Sequence, residues 1–459
     1  MKRISFLSMI TALLIASCNF LPAQTVTVPF TPDKWDLQNA ETSIENYLGK
    51  ESILIKSGDI YTIKDQLENG TIEFDICFPD QRGFPGIAFR VQDTDNYEDF
   101  YFRPHKSGKP DALQYSPVFN SSSAWQLYNG KGYTDTLTLI PDVWHHVKIV
   151  LEGNKADIFY DDRVQPILNI TDLKRKSIPG RFGLMNLMAP VHFANFSYTV
   201  SKETIQSTDE QNIENNDGTI TTWYLSNAFE KELLYDKTVI DEATKNSLTW
   251  TKVTSEPSGI VNLAKYTKYD MNSQKITTVA RCEFISDSEA LKLFKFGFSD
   301  EVRLYFNDKL VYTGSDAFLS RDYQFSGIMG YYDGLCLPLK KGKNEIWMVV
   351  TDYFGGWGVQ GRLADAVIKE IKLDPSVLEK YVGDYSLNPD FSLVVTFEDG
   401  NLMVQPTGQQ KFKMYARSPE HFFLKIVDVD FDFLKNDSGQ IDRLVIHQNG
   451  QDIEAKRKE

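Results

Sequence analysis

The sequence predicts a fold that is almost entirely β-structure and is divided into several domains. Apolar and polar residues alternate along many short segments, such as Ile72, Phe74 and Ile76 in one segment and Val302 and Leu304 in another. This period of two is typical of half-buried strands. Aromatic residues make up 13% of the chain, which suits the faces of β-sheets. The 459 residues are about three times the length of a typical domain, so several separate cores are expected.

Helix is predicted only at residues 228–234 and 375–381, each long enough for one or two turns. The net charge is −14 and the pI is about 5.1. An acidic chain of this kind is not expected to bind nucleic acid or an anionic membrane, because both need a basic surface.

The first residues read as an export signal, which we place at residues 1–24. Lys2 and Arg3 precede a short apolar run that ends at Ala16, and this arrangement is typical of a signal peptide. The string Ile-Ala-Ser-Cys18 resembles a bacterial lipobox, which would make Cys18 the lipidated first residue of the mature protein. Ordinary cleavage near Ala23 is the alternative. Either way the protein is expected to be exported, to the periplasm or the cell surface, and a lipidated Cys18 would anchor it to the membrane.

The mature chain divides into three blocks. Residues 201–217 are polar, acidic and free of aromatic residues, which indicates a linker. Residues 25–200 and 218–373 form the blocks on either side, and residues 374–459 form the last one, which opens at Asp374 and Pro375.

Three cysteines remain if Cys18 carries lipid. Cys282 and Cys336 fall in one block, so an exported protein could join them in a disulfide. The alternative is that they are buried free thiols in strands. Cys77 lies in another block, and no pair has the spacing of a metal or redox motif.

The first block, residues 25–200, contains Gly70-Thr-Ile-Glu-Phe-Asp, Gly86-Ile-Ala-Phe-Arg-Val and Trp144-His-His-Val-Lys-Ile-Val. On these strings it resembles the laminin-G/concanavalin-A-like jelly rolls of exported bacterial proteins. Members of that group often bind carbohydrate, and some are glycoside hydrolases. The Glu-x-Asp-x-x-Glu motif of those hydrolases is absent, because Glu73 and Asp75 are followed by Phe78 rather than by an acid.

A candidate sugar site follows from the strand pattern between residues 84 and 133. Residues 93–96 read as a hairpin loop, and counting back from it pairs Arg90 with Asp99, Ala88 with Tyr101 and Gly86 with Arg103. One face is then apolar, and the other is polar and left open by the small residues. Planar polar groups and rings suit a sugar, although any solvent face of an antiparallel sheet is also polar. The candidate ligand-binding residues are Arg90, Asp99, Tyr101, Arg103, His105, Asp111, Gln114, Tyr115, Trp125 and Tyr128.

The same block also contains residues suited to acid–base catalysis and to calcium binding. His105 could act as an acid or base near Asp111 or Tyr115. Asp93, Asp95 and Asn96 could hold calcium through oxygen ligands, although acidic turns are common without a metal. The chain is otherwise expected to need no cofactor and no metal.

The second block contains Phe296-Gly-Phe-Ser-Asp-Glu-Val-Arg-Leu-Tyr-Phe-Asn-Asp and a later Gly-Lys-Asn-Glu turn. On these it resembles the galactose-binding-like β-sandwiches attached to many exported enzymes. Trp357 stands among glycines and could grip a sugar together with Asp352 and Arg362. The other interpretation is a tight turn in which Trp357 closes the sandwich.

The last block contains Tyr381-Val-Gly-Asp-Tyr and Phe391-Ser-Leu-Val-Val-Thr-Phe-Glu-Asp-Gly-Asn-Leu. It resembles the DUF3471-type domain that follows the catalytic domain of some β-lactamase-related serine hydrolases, and its short strands predict a small lipocalin-like barrel. Those enzymes use a Ser-x-x-Lys motif, which this chain lacks, so serine-hydrolase activity is not expected. Asp428, Asp430 and Asp432 share one strand face, as a solvated edge or a metal site.

The predicted fold is therefore all-β, with two jelly-roll or β-sandwich domains followed by a small lipocalin-like β-barrel. The predicted function is that of an exported, non-catalytic carbohydrate-binding protein of the cell envelope, with a glycan as its partner. The alternatives are a hydrolase or lyase acting on glycans from the first block, and a protein-interaction module of the envelope.

Overall fold

A computed structural model describes residues 25–200, 218–268, 276–365, 370–448 and 451–458. The prediction of an all-β chain with two sandwiches and a barrel-like C-terminal sheet is confirmed. No helix within the described ranges combines the length and the apolar character needed to cross a bilayer. Cys18 and the predicted signal and linker segments lie outside the described residues.

The first sandwich extends to Thr199. Its strands are β1 (Thr25–Thr27), β2 (Trp35–Asp36), β3 (Glu41–Tyr47), β4 (Lys50–Ser57), β5 (Ile60–Leu67), β6 (Gly70–Cys77), β7 (Gly86–Asp93), β8 (Asn96–Phe102), β9 (Leu113–Phe119), β10 (Ser122–Ser123), β11 (Thr134–Asp135), β12 (His145–Glu152), β13 (Lys155–Tyr160), β14 (Leu168–Ile170), β15 (Gly180–Met185) and β16 (Val191–Thr199).

These strands form two sheets that face each other across one core. One sheet has the order β14-β13-β12-β6-β16-β4-β3, with β1 on β16, and the other has β10-β9-β8-β7-β15-β5-β2, with β11 on β9. Inward side chains such as Phe74, Phe100 and Phe102 are completely buried between them. The second of these sheets is the one that bears the predicted sugar site.

The second sandwich runs from Thr222 to Asp365. Its elements are β17 (Thr222–Ser226), α1 (Glu232–Tyr235), α2 (Glu242–Ser247), β18 (Trp250–Thr254), β19 (Val261–Asn262), β20 (Thr277–Ser286), β21 (Ala290–Ser299), β22 (Glu301–Phe306), β23 (Lys309–Ser315), β24 (Asp333–Leu339), β25 (Gly342–Thr351) and β26 (Gly358–Asp365). The sheets have the orders β18-β17-β20-β25-β22-β23 and β19-β26-β21-β24. The segment with α1 and α2 lies on the outer face of the larger sheet, where Leu234 packs with Tyr305 and Trp347.

The C-terminal unit is one sheet of nine strands in the order β30-β29-β28-β27-β35-β34-β33-β32-β31. Its elements are α3 (Pro375–Leu378), β27 (Gly383–Asn388), β28 (Phe391–Glu398), β29 (Asn401–Pro406), β30 (Phe412–Lys413), β31 (Tyr415–Ala416), β32 (His421–Phe423), β33 (Asp430–Lys435), β34 (Ile441–Gln448) and β35 (Gln451–Arg457). The sheet wraps around Tyr385, Phe433 and Leu444. The helix predicted at 375–381 is present as α3 and a following 3₁₀ turn.

The cysteines settle the choice between thiols and a disulfide. Cys77, Cys282 and Cys336 are all free. Cys282 lies on β20 and Cys336 on β24, which belong to the two different sheets of the second sandwich. The disulfide alternative is therefore wrong, and burial raises the pKa of the Cys282 thiol.

Candidate functional site

The predicted outer face of the first sandwich lies on β7 and β8, which pair in a different register from the predicted one. The loop itself is correct, because Asp93 faces Asn96 at the hairpin. Beyond the loop an irregularity shifts the pairing, so that Ala88 faces Asp99 rather than Tyr101. The shift amounts to two residues, and because side chains alternate with a period of two, β8 and residues 86–89 of β7 keep their predicted faces.

Arg90 lies at this irregularity, with a backbone φ of 50°. Its side chain is only 2% exposed. Nε and Nη2 donate to the carbonyl of Glu68 at 3.0 and 2.8 Å, and Nη2 also donates to the carbonyl of Gly153 at 2.6 Å. Burial lowers the pKa of the guanidinium. The prediction that Arg90 lies on the open face is wrong, because its side chain instead joins two turns at one end of the sandwich.

Tyr101, Arg103 and Gln114 form a closed hydrogen-bonded layer. The hydroxyl of Tyr101 donates to Gln114 Oε1 at 3.1 Å, and Arg103 Nη2 donates to both. Arg103 Nη1 donates to the carbonyl of Asp111 at 2.9 Å, and the Asp111 carboxylate pairs with Lys106. Tyr101 is 7% and Arg103 5% exposed. The prediction of an open face is therefore wrong for this part of the sheet.

Tyr115 faces the opposite side from the predicted one. It is completely buried in the core of the sandwich. Its hydroxyl donates to Glu98 Oε2 at 2.7 Å and accepts from the backbone N–H of Lys174 at 2.7 Å. The predicted position of Tyr115 beside the sugar residues is therefore wrong. Adjacent residues of a strand point to opposite faces, so Gln114 lies on the outer side and Tyr115 in the core.

The loop that follows β10 joins the two sandwiches. The hydroxyl of Tyr128 donates to Glu256 Oε1 at 2.5 Å. The Trp125 ring meets the Phe354 ring edge-on, with centroids 5.7 Å apart. Gln126 is completely buried between the domains and donates to the carbonyl of Ser326 at 2.9 Å. Tyr128 and Trp125 therefore contact the second sandwich rather than flank an open sheet face, which a local pattern could not predict.

His105 stands at the end of β8, half-buried against the ring of Phe84, with centroids 5.3 Å apart. Burial and the nearby charges of Arg82 and Lys106 lower the pKa of His105. Its Nδ1 is buried and has no partner among the described residues. Burial therefore favours the neutral imidazole. Tyr115, which was considered beside it, lies in the core.

The rest of the outer face surrounds Ala88, which is itself completely buried, and carries half-buried side chains. Across the strands β5, β15, β7 and β8 the paired residues are Tyr61, Gly183, Ala88 and Asp99. A Cβ on Gly183 would come within 2.7 Å of the Tyr61 ring, so the ring lies over this glycine. The two small residues are both buried and lie between Tyr61 and Asp99 in the sheet.

Asp59, Tyr61, Tyr97 and Asp99, around Ala88, make up what we call the tyrosine–aspartate face. All four are half-buried rather than closed off. Asp99 Oδ1 has no hydrogen-bond partner among the described residues. Burial, together with the nearby Asp59, raises the pKa of Asp99 well above its usual range, and burial also raises the pKa of Asp59. The face therefore presents two carboxyl groups of weakened acidity and two phenols.

Sequence reasoning found Asp99 but missed the other three. Asp59 and Tyr61 are two residues apart, so a shared strand face could have been predicted. Their position opposite Asp99 could not, because it depends on how β5, β15 and β7 pair. Tyr97 lies two residues before Asp99 on β8, so the same alternation places it on the Asp99 face.

The residues proposed in the second sandwich do not form a site. Trp357 is completely buried in the core, and its indole N–H donates to the carbonyl of Val350 at 3.2 Å. Asp352 is buried as well, and burial raises its pKa well above the usual range. The Arg362 guanidinium lies over the Tyr331 ring at 4.7 Å. The interpretation in which Trp357 closes the sandwich is the one that the structure supports.

The candidate metal residues make local contacts instead. Asp93 Oδ1 accepts from the backbone N–H of Asp95 and from the Asn96 amide, each at 2.9 Å. Within the described part of the chain, no group of three or more His, Cys, Asp or Glu side chains is arranged to hold a metal ion. In the C-terminal unit Asp428 pairs with Lys295, Asp430 with Arg417, and Asp432 with two histidines.

Comparison with known proteins identifies one segment by sequence. The family model for a domain of unknown function, DUF3471, matches residues 369–457. Penicillin-binding protein 4* of Bacillus subtilis is 28% identical over 90 residues, which are 19% of this chain and 20% of that protein. The chain thus matches about a fifth of the length of this curated relative, and the resemblance of the last block to DUF3471-type domains is confirmed.

Several solved structures are similar to this chain over a little more than a third of its length. The carbohydrate-binding module CBM66 of Bacillus subtilis is 22% identical, with 36% of this chain and 94% of that chain covered and a TM-score of 0.28. The β-glucanase of Bacillus licheniformis is 9% identical, with 39% and 98% covered and a TM-score of 0.28. A putative glycosyl hydrolase of Parabacteroides distasonis is 12% identical, with 38% and 99% covered and a TM-score of 0.25. Scores of this size identify no activity.

Proposed function

We propose that this protein binds a carbohydrate on the tyrosine–aspartate face of the first sandwich. The observation that carries the proposal is the unpartnered Oδ1 of Asp99, whose side chain is half-buried on the outer sheet face beside two small residues. Buried polar atoms in folded proteins nearly always have a partner. An unpartnered carboxyl oxygen on a half-buried side chain of an outer sheet face is suited to a hydrogen bond from a ligand.

The chemistry of the face matches sugar hydroxyls. A carboxyl group with a raised pKa can donate as well as accept a hydrogen bond, and so can each tyrosine hydroxyl. Tyr61 and Tyr97 add ring surface for the apolar side of a sugar ring. Two carboxyl groups lie at this face, and the arginines beside it, Arg181 over the Tyr61 ring and Arg103 in the closed layer, both donate to protein acceptors. The ligand expected at this face is therefore neutral rather than anionic.

A glycan array of neutral and acidic oligosaccharides, followed by calorimetric titration of the best neutral binder, tests the proposal. Tyr61→Ala should weaken binding roughly tenfold or more, because ring contact is lost. Asp99→Ala should weaken binding by a similar factor through the lost hydrogen bond. Tyr323→Ala is the matched control, because Tyr323 is 81% exposed and lies in the other sandwich. An array without any hit, or equal affinities for all three variants, would refute a sugar site here.

The carboxyl pair supports catalysis as a second candidate function. Asp59 and Asp99 lie close enough for the first to raise the pKa of the second, and glycosidases use two carboxyl groups of unequal acidity. Incubating the neutral glycan with the protein and measuring reducing ends separates the two functions. Product that disappears in both Asp59→Asn and Asp99→Asn would favour a hydrolase, whereas intact glycan with normal binding favours a binding protein.

Export and lipid attachment at Cys18 remain part of the proposal and rest on the N-terminal sequence alone. Fractionation of cells that produce the full chain provides the test. The wild-type protein should sediment with membranes and Cys18→Ala should be soluble. A soluble wild-type protein that begins near Gln24 would contradict the anchor.

A further inference from the structure

The second sandwich has a polar cleft on its outer sheet face, apart from the three residues considered above. Its cavity of about 290 Å³ lies over β20, β25, β22 and β23, beside the segment that contains α1. The floor carries the hydroxyls of Thr277 and Thr351, which bond to each other at 2.8 Å. This volume is near the lower end of ligand pockets, and is enough for one sugar ring.

The cleft exists because the α1–α2 segment covers only half of the sheet face. Leu234 and Ile240 pack over Trp347 and Tyr305. Towards Thr351 the face is left uncovered, and Tyr235 borders the opening with its ring 55% exposed. An exposed ring beside a hydroxyl-lined floor gives a ligand one apolar and one polar surface.

The charged side chains around the cleft are held in place. The ammonium of Lys231 donates to the Tyr353 hydroxyl at 2.9 Å, and that hydroxyl donates to Glu301 Oε2 at 3.0 Å. Arg303 donates from Nη2 to the carbonyl of Lys237 at 2.9 Å and from Nε to the hydroxyl of Tyr305 at 3.3 Å. Within the described residues Arg303 Nη1 makes no hydrogen bond, so one donor of a fixed guanidinium remains for a ligand.

The sign of the charge indicates what the cleft accepts. Lys231 and Arg303 supply two positive charges to its lining, and Glu301 supplies one negative charge. The lining is therefore net positive in a chain whose net charge is −14. A local positive region on an acidic protein favours an anionic ligand.

The geometry points to a second ligand site in this cleft, for a hydroxylated carboxylate of the size of one uronic acid residue. The carboxylate accepts from Arg303 and Lys231, and the hydroxyls meet Thr351 and Ser315 above the buried Thr277. This site is independent of the tyrosine–aspartate face, where a neutral sugar is expected.

Calorimetric titration of the full-length protein with D-glucuronate and with D-glucose tests this inference. Glucuronate should bind at least about tenfold more tightly than glucose, because only the anion completes the Arg303 contact. Tyr235→Ala should weaken glucuronate binding by about tenfold, whereas Tyr323→Ala should leave it unchanged.

Glu301→Gln gives the sharpest result, because it removes a like charge while keeping an oxygen that can accept from Tyr353. The variant should bind glucuronate several-fold more tightly and glucose as before. Glucuronate binding that is absent, equal to that of glucose, or indifferent to Glu301→Gln and Tyr235→Ala would overturn the inference. Tyr61→Ala should not affect glucuronate, so a failure at the first sandwich is distinguishable from a failure here.

Discussion

The outer sheet faces of the two sandwiches are completed in different ways. In the first, side chains of the sheet itself close part of the face, through the hydrogen bonds of Tyr101, Arg103 and Gln114. In the second, a separate chain segment covers part of the face and leaves a cleft beside it. The outer face of a sheet can thus carry a ligand site among its own side chains. It can also carry a site in the cleft beside a segment that covers part of it.

Three arginines of the two sandwiches differ in whether they can contact a ligand. Arg90 and Arg103 are buried in the first sandwich, and both are committed to protein acceptors. Arg303 is half-exposed, with one nitrogen left over beside the cleft. Arg90 Nη1 also lacks a partner among the described residues, but it is buried. An arginine is therefore a ligand candidate only when a nitrogen of its guanidinium is both unpaired and exposed.

Replacing Arg90 should have the largest effect. Arg90→Met removes three hydrogen bonds to the carbonyls of Glu68 and Gly153 and leaves those acceptors without a charged donor. We expect the free energy of unfolding of the first sandwich to fall by about 3 kcal/mol. Chemical denaturation monitored by fluorescence measures this. A loss within about 0.5 kcal/mol, as for an ordinary surface residue, would show that Arg90 is not structural.

A matched pair of variants tests the contrast between the sandwiches. Arg103→Met should cost about 2 kcal/mol, because buried partners lose a charged donor, whereas Arg303→Met should cost about 1 kcal/mol or less. The same denaturation measurement applies to both. Equal losses would mean that the two faces are closed to a similar degree.

Alanine substitutions at two glycines of the first sandwich test where its ligand site lies. A Cβ on Gly86 would come within 2.1 Å of the backbone oxygen of Phe100, whereas on Gly183 it would meet side chains, the Tyr61 ring at 2.7 Å and Ala88 Cβ at 3.2 Å. Gly86→Ala should therefore destabilise the fold. Gly183→Ala should move Tyr61 and weaken glycan binding by roughly tenfold, with a stability change of about 1 kcal/mol. Unchanged binding in Gly183→Ala would argue against the Tyr61 ring as a contact.

The smallest effect concerns pH. Because the folded-state pKa of Asp99 is raised above the ordinary aspartate value of 3.8, its protonation stabilises the folded state below pH 3.8. This contribution is lost as pH rises through the folded pKa. Asp99→Asn should therefore raise the melting temperature at pH 7 and have little effect below pH 3.8. Thermal scans across this range provide the measurement. A variant that is less stable at neutral pH would indicate a partner for the Asp99 carboxylate.

The sequence was sufficient for the architecture because alternation is local. Phe100 and Phe102 on one side and Tyr101 on the other are assigned correctly by a period of two, and the hairpin at Asp93–Asn96 follows from its turn residues. The predicted register is wrong at Arg90, because the alternation of apolar and polar residues does not show that this residue adopts a φ of 50°.

Long-range contacts account for the rest. Nothing near Trp125 and Tyr128 shows that their loop docks on Phe354 and Glu256, which lie far along the chain. The opposition of Tyr61 and Asp99 likewise depends on which strands lie between them. Candidate sites on single strands can be predicted from alternation, but their exposure depends on the packing of distant segments.

The location of the ligand on the first sandwich is tested most directly by a crystal structure of the protein with the neutral oligosaccharide that binds best. A sugar hydroxyl should lie about 3 Å from Asp99 Oδ1, the usual length of such a hydrogen bond, with a ring face against Tyr61 or Tyr97. A sugar bound elsewhere, with Asp99 Oδ1 still unpartnered, would contradict the proposed site.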